Sequence, residues 1–160
     1  MRFRRAAAVA VGLTSLGSTT PAAARPPSPK EDAVERSVIR KLNAIRAQSG
    51  VRRLRSSRRL DRAADAKSGS VAATGDFSHG DVRGRVARFV RARSIGETMA
   101  WVSPEQGDDA DAIVGSWMAS GLHRDTLLSG QFARIGVARR SGTVAGWPAV
   151  VFTVDLASAR

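Results

Sequence analysis

Apolar residues recur at helical spacing through the first half of the chain and fall into short extended runs in the second. Val34, Val38, Leu42 and Ile45 are three or four apart, which predicts a helix with one buried face. Ser28 offers a cap, Pro29 a first-turn proline and Glu31 a glutamate three residues past the cap, and Gly50 is a natural stop. A second helix is predicted over about 57–73, with Leu60, Ala64, Lys67 and Val71 on one stripe and Gly75 at its end. Asp81 is placed to cap a short third helix through Val82, Val86 and Phe89. Ile95 to Trp101 predicts a strand and Pro104 to Asp109 a polar loop. Asp108 or Asp109 begins a fourth helix carrying Ile113, Val114, Trp117 and Met118, which Gly121 breaks. Phe132 to Arg139 and Ala149 to Leu156 read as a hairpin, with its turn around Ser141, Gly142, Thr143 and Gly146. Helices come first and the clearest strands last, so the class is α+β, helices on an antiparallel sheet rather than alternating βαβ units.

The ends and the composition narrow this. Met1 to Arg5 is basic, Ala6 to Leu16 is uncharged and apolar, and Ala22, Ala23 and Ala24 have the small size that signal cleavage requires. Residues 1–24 are therefore expected to be an export signal, the apolar run being too short for a membrane span of about 20 residues. Residues 25–34 are then a proline-rich tether and helix start, and 35–160 a single domain. The expected location is secreted or in the cell envelope, with no transmembrane segment in the mature chain. There is no cysteine, which excludes disulfides, thiol chemistry and iron–sulfur clusters.

The net charge is +12, mostly arginine. Arg52, Arg53, Arg55, Arg58, Arg59 and Arg62 form one cluster; Arg83, Arg85, Arg88, Arg91 and Arg93 form a second. Nucleic acid is disfavoured, because no aromatic side chains are interleaved to stack bases. A cell-wall polymer or anionic membrane surface suits an exported protein better, and the plain reading is a solvated basic face.

The chain has two histidines, His79 in Asp76-Phe77-Ser78-His79-Gly80 and His123 in Trp117-Met118-Ala119-Ser120-Gly121-Leu122-His123-Arg124. Between them Glu97 is a lone acid in an apolar setting. Two imidazoles and a carboxylate suit a divalent metal such as zinc if the fold assembles them. Glu97 can equally accept a hydrogen bond from a histidine and orient its ring, leaving a histidine–carboxylate network without metal. His79 and Glu97 have the chemistry for acid–base work, and Ser120 lies near one helical turn from His123. No Gly-x-Ser-x-Gly elbow or His-Glu-x-x-His helix is present. Trp101 and Trp117 read as core.

Taken in order, these segments resemble the CAP superfamily of cysteine-rich secretory proteins, antigen 5 and pathogenesis-related class 1 proteins (the SCP-like extracellular domain), in its cysteine-free bacterial branch. Leu42-Asn43-Ala44-Ile45-Arg46 with Gly50 and Leu54 is similar to the opening helix, and Leu60-Asp61 to Ala66 to the second. Phe77-Ser78-His79, Gly96-Glu97-Thr98-Met99-Ala100, Trp117 to Arg124 and Ile135-Gly136-Val137 resemble its F-S-H, G-E-N-I-A, W-M-x-S-P-G-H-R and I-G-V motifs. The resemblance covers about 35–156. It implies a three-layer α-β-α sandwich with a central, mainly antiparallel sheet. It also implies a cleft of His79, Glu97 and His123, where some members bind a divalent metal. The second acid of the animal and plant members is Ser120 here, Thr98 stands where asparagine is usual, and Leu122 where glycine is common. The expectation is a secreted, non-catalytic module that binds a lipid, a wall polymer or another protein, with a metal-dependent hydrolase using the same cleft as the alternative.

Overall fold

The computed structural model of the protein describes residues 29–159. The expected export signal, the residues of the tether before the first helix and the Ser28 cap lie outside them. Helix α1 spans Pro29–Gln48, α2 Arg58–Thr74, α3 Val82–Ala87, α4 Ala110–Ala119 and α5 Gly121–Leu128. Strand β1 is Arg55–Ser56, β2 Ile95–Val102, β3 Arg134–Val144 and β4 Trp147–Ala157. A 3-10 turn, Pro104–Gln106, occupies the expected polar loop.

The sheet order is β1-β3-β4-β2. β4 pairs antiparallel with both β2 and β3, and only the two-residue β1 runs parallel. β4 is central and, past its first two residues, buried throughout. Successive side chains of a strand face opposite ways, so β4 feeds two cores. Val150, Phe152, Val154 and Leu156 join α1, α4 and α5 through Val38, Leu42, Ile113, Trp117 and Leu127. On the other side Ala157 packs with Leu60, Ala63 and Val86, while Ala149 and Val151 pack with Val71 and Met99. The result is the expected α-β-α sandwich. Each fully buried Leu, Val or Phe contributes about 1.5–3 kcal/mol.

Local chemistry sets the element ends. α2 stops at Gly75, whose φ of 74° is left-handed and whose N–H bonds to the Val71 carbonyl, a cap that suits glycine. Asp81 caps α3 by accepting from Gly84 N, and Asp109 caps α4 by accepting from Asp111 N and Ala112 N.

Several expectations need correction. A helix, α5, follows Ser120 where only a break was expected. The hairpin turn is Ala145–Gly146, both at positive φ (50° and 84°), as a two-residue turn matched to strand twist requires. Ser141, Gly142 and Thr143 remain in β3. α3 ends before Phe89. On α1 the buried position near the end is Arg46 rather than Ile45. Its guanidinium donates to the carbonyls of Arg52, Leu127, Ser129 and Phe132, so it ties α1 to the α5–β3 connection.

Candidate functional site

The site is built on β2 and β4. In their register Glu97 lies opposite Asp155, so both carboxylates project from one face of the sheet, toward α2 and α3. Directly opposed like charges repel, and both side chains are buried, 1% exposed for Glu97 and 0% for Asp155. The fold answers with Arg85 of α3. Its Nη1 donates to Asp155 Oδ2 at 2.7 Å and its Nη2 to Asp155 Oδ1 at 2.8 Å, a two-pronged grip. Nη2 also donates to Glu97 Oε2 and Nη1 to the Ala63 carbonyl on α2.

His79 completes the line. It lies on the loop between Gly75 and α3, and its Nδ1 lies 2.7 Å from Glu97 Oε1. An ionised carboxylate only accepts, so Nδ1–H donates. The ring is 55% exposed. His79, Glu97, Arg85 and Asp155 thus form one chain of hydrogen bonds from the surface to the core.

Two carboxylates share one guanidinium here. Burial, countered by Arg85 and reinforced by the like charge of Glu97, raises the pKa of Asp155 above the ordinary aspartate range. Arg85 is itself desolvated, but its two carboxylate partners outweigh that and raise its pKa further. The half-buried Lys67 of α2 is near enough for its charge to favour ionised Asp155.

His79 and Glu97 therefore meet, as expected. His123 sits in the first turn of α5, in the layer on the other side of the sheet, and its side chain makes no hydrogen bond or ion pair among the described residues. Ser120 ends α4 and begins α5, with no side-chain hydrogen bond to His123 among the described residues. Thr98 points away from Glu97, is fully buried, and its hydroxyl has no hydrogen-bond partner among the described residues. Trp117 is buried and donates Nε1–H to the Met99 carbonyl, whereas Trp101 is 42% exposed.

A zinc site needs three or four protein ligands. Both oxygens of Glu97 and Nδ1 of His79 are already committed. Among the described residues no three His, Asp or Glu side chains could hold one ion.

Arg85 and Asp155 carry the site, and the sequence reading passed over both. Signals existed. Arg85 lies beside Val82 and Val86, the apolar positions of α3, and Asp155 interrupts the apolar run of β4. A charge inside an apolar pattern needs a partner.

Comparison with known proteins follows the same outline. Residues 39–155 match the model of a family described as CAP, the cysteine-rich secretory protein family. An outer surface protein from Borrelia burgdorferi superposes with a TM-score of 0.69 at 16% identity, covering 86% of this chain and 99% of that one. An extracellular protein containing an SCP domain from Bacillus anthracis gives 0.67 at 23% identity, covering 84% and 45%. A cysteine-rich secretory protein from Staphylococcus aureus gives 0.66 at 16%, covering 83% and 40%. The chain thus spans less than half the length of the last two. No curated protein matches it.

Proposed function

Since the chain belongs to the cysteine-rich secretory protein (CAP) family, we propose that it works outside the cytoplasmic membrane as a non-catalytic binding module, with the cleft around His79 and Glu97 as a contact site for a lipid, a wall polymer or a protein. The location is supported by the basic and apolar pattern of residues 1–24 and by relatives named as extracellular and outer surface proteins. No helix among the described residues is long and apolar enough to cross a membrane.

The observation that carries the non-catalytic reading is the commitment of Glu97. One oxygen accepts from His79 and the other from Arg85. A general base needs a lone pair within reach of a substrate proton, and burial to 1% exposure behind two donors keeps the lone pairs that remain on Glu97 out of a substrate's reach. What the surface presents at this point is the outer edge of the His79 ring, 55% exposed and held in one tautomer from behind. Nε2 has no partner among the described residues and is available to a ligand that donates a hydrogen bond.

That same Nε2 is what a metal-dependent hydrolase would use, and zinc separates the two readings. A ligand that prefers the native state raises the melting temperature. Melting with and without zinc should show equal shifts in wild type, His79→Ala and His123→Ala. A wild-type shift well above that of both variants would replace the binding-module reading with the metal-dependent one.

A further inference from the structure

The two arginine clusters, separate in sequence, converge on one face. One groove of about 800 Å³ is lined by Arg59 at the start of α2 and by Arg88, Arg91 and Arg93 of the segment joining α3 to β2, with Phe89 and Val90 among its apolar residues. A second, of about 560 Å³, is lined by Arg52, Arg53 and Arg55. The grooves meet at Ala159, which lines both, and no acidic residue lines either.

These seven arginines make no ion pair or side-chain hydrogen bond among the described residues. Some arginines elsewhere find acids, Arg85 with Asp155, Arg139 with Asp108 and Arg140 with Asp65, while others such as Arg36 and Arg40 do not among the described residues. What marks this face is seven bare arginines gathered around adjoining grooves. The segment carrying Arg91 and Arg93 is also held in shape. Arg83 donates to the Arg93 carbonyl and Arg134 to the carbonyls of Arg91 and Ser158. Ser158 Oγ accepts from the backbone N–H groups of Arg93 and Ser94. Two guanidiniums are thus used to build the loop, and the bare ones are presented on a support fixed in advance, which lowers the entropic cost of binding.

We propose that this face holds a linear polymer of phosphodiester units, without bases, lying along both grooves. The guanidinium fork matches phosphate oxygens two at a time. The surface is concave, as a strand-like ligand requires. A bilayer is a poorer match, because insertion needs large apolar side chains, and Phe77, Trp101, Leu122 and Trp147, the large exposed ones, line neither groove. Nucleic acid is a poorer match too, since base stacking needs an open aromatic face and Phe89 is half-buried. The proposal is independent of the His79 cleft.

The test uses the intact chain and poly(glycerol phosphate), titrated between about 50 and 200 mM salt. Affinity should fall steeply with salt. Replacing three groove arginines together, Arg59→Gln, Arg88→Gln and Arg91→Gln, should weaken binding by about tenfold or more at the lowest salt and flatten the log–log slope by about 2, at roughly 0.7 per lost contact. Arg36→Gln with Arg40→Gln, exposed on α1 in the opposite layer, should leave both nearly unchanged. The triple variant is exposed and should melt with wild type; the wild-type slope is informative even if it does not. A slope near zero, an equal loss in the α1 variant, or tighter binding to phosphatidylglycerol vesicles or to single-stranded DNA of equal charge would each overturn the proposal.

Discussion

Arg85 stands between two buried carboxylates and is the residue on which the site depends. Replacing it by methionine keeps much of the volume and removes the charge. Asp155 and Glu97 would then face each other across the register pair with only His79 and the more distant Lys67 to offset them. Breaking a buried ion pair costs about 3–5 kcal/mol, so Arg85→Met should lower unfolding stability by that order in urea titration, far more than Arg88→Met on the exposed side of the same segment. Asp155 adds a pH dependence whose sign follows from its raised pKa. The folded state holds that proton more tightly than the unfolded chain does. The stabilising contribution is therefore full below the ordinary aspartate value of about 3.9 and is lost as pH rises through the folded value. Wild type should gain on Asp155→Asn as pH falls through the window just above that value, measured by unfolding at each pH. A difference that does not change with pH would mean that Asp155 titrates as it does in the unfolded chain.

At the scale of elements, α2 lies unusually close to β3. A Cβ on Gly136 would collide with the backbone of Leu60 and Asp61, and one on Gly142 with the backbone of Ala72. Neither position has a positive φ, so close approach and not conformation calls for glycine there. Backbone cannot swing aside as a long side chain can, so Gly136→Ala should push α2 off the sheet at a cost of about 1–3 kcal/mol. Because α2 supplies the Ala63 carbonyl that Arg85 grips, the variant should also disturb the His79 ring, visible as a shift of its NMR resonances. An unchanged spectrum with unchanged stability would mean the layers can relax freely. The spacing of Leu60, Ala64, Lys67 and Val71 made α2 legible in the sequence to within a residue or so, because helix formation and burial of one stripe are local. α5 was not legible. It opens on glycine, Leu122 is 83% exposed and Leu127 is its buried residue, so no stripe marks it. β1 is two exposed residues whose pairing with β3 no pattern could announce.

Across the whole molecule, Arg46 does for the layer of α1, α4 and α5 what Arg85 does for that of α2 and α3. It is fully buried and its donors go to carbonyls rather than acids, so burial, then the charge of Arg52, lowers its pKa. Arg46→Leu would leave several carbonyls of the α5–β3 connection without their donor, each costing about 1–3 kcal/mol if no water replaces it. The expected result is a melting temperature lower by several degrees and faster hydrogen exchange at 127–132. Protection unchanged in that stretch would show that packing alone holds it.

The sequence by itself determined what local interactions and simple alternation can encode: the helical stripes, the aspartate caps, the glycine stops, the last two strands and the order of motifs by which the family was recognised. It brought His79 and Glu97 into the same argument for that reason. The tertiary structure decided everything that depends on which distant residues become neighbours. The pairing of β2 with β4 set Glu97 opposite Asp155. One arginine of a basic run was drawn into the core to separate them, while the others were left bare around shared grooves. The physical reason is that charge pairing and strand register are settled by desolvation and contact in the folded chain, where an arginine beside a buried carboxylate and an arginine in water are no longer the same group.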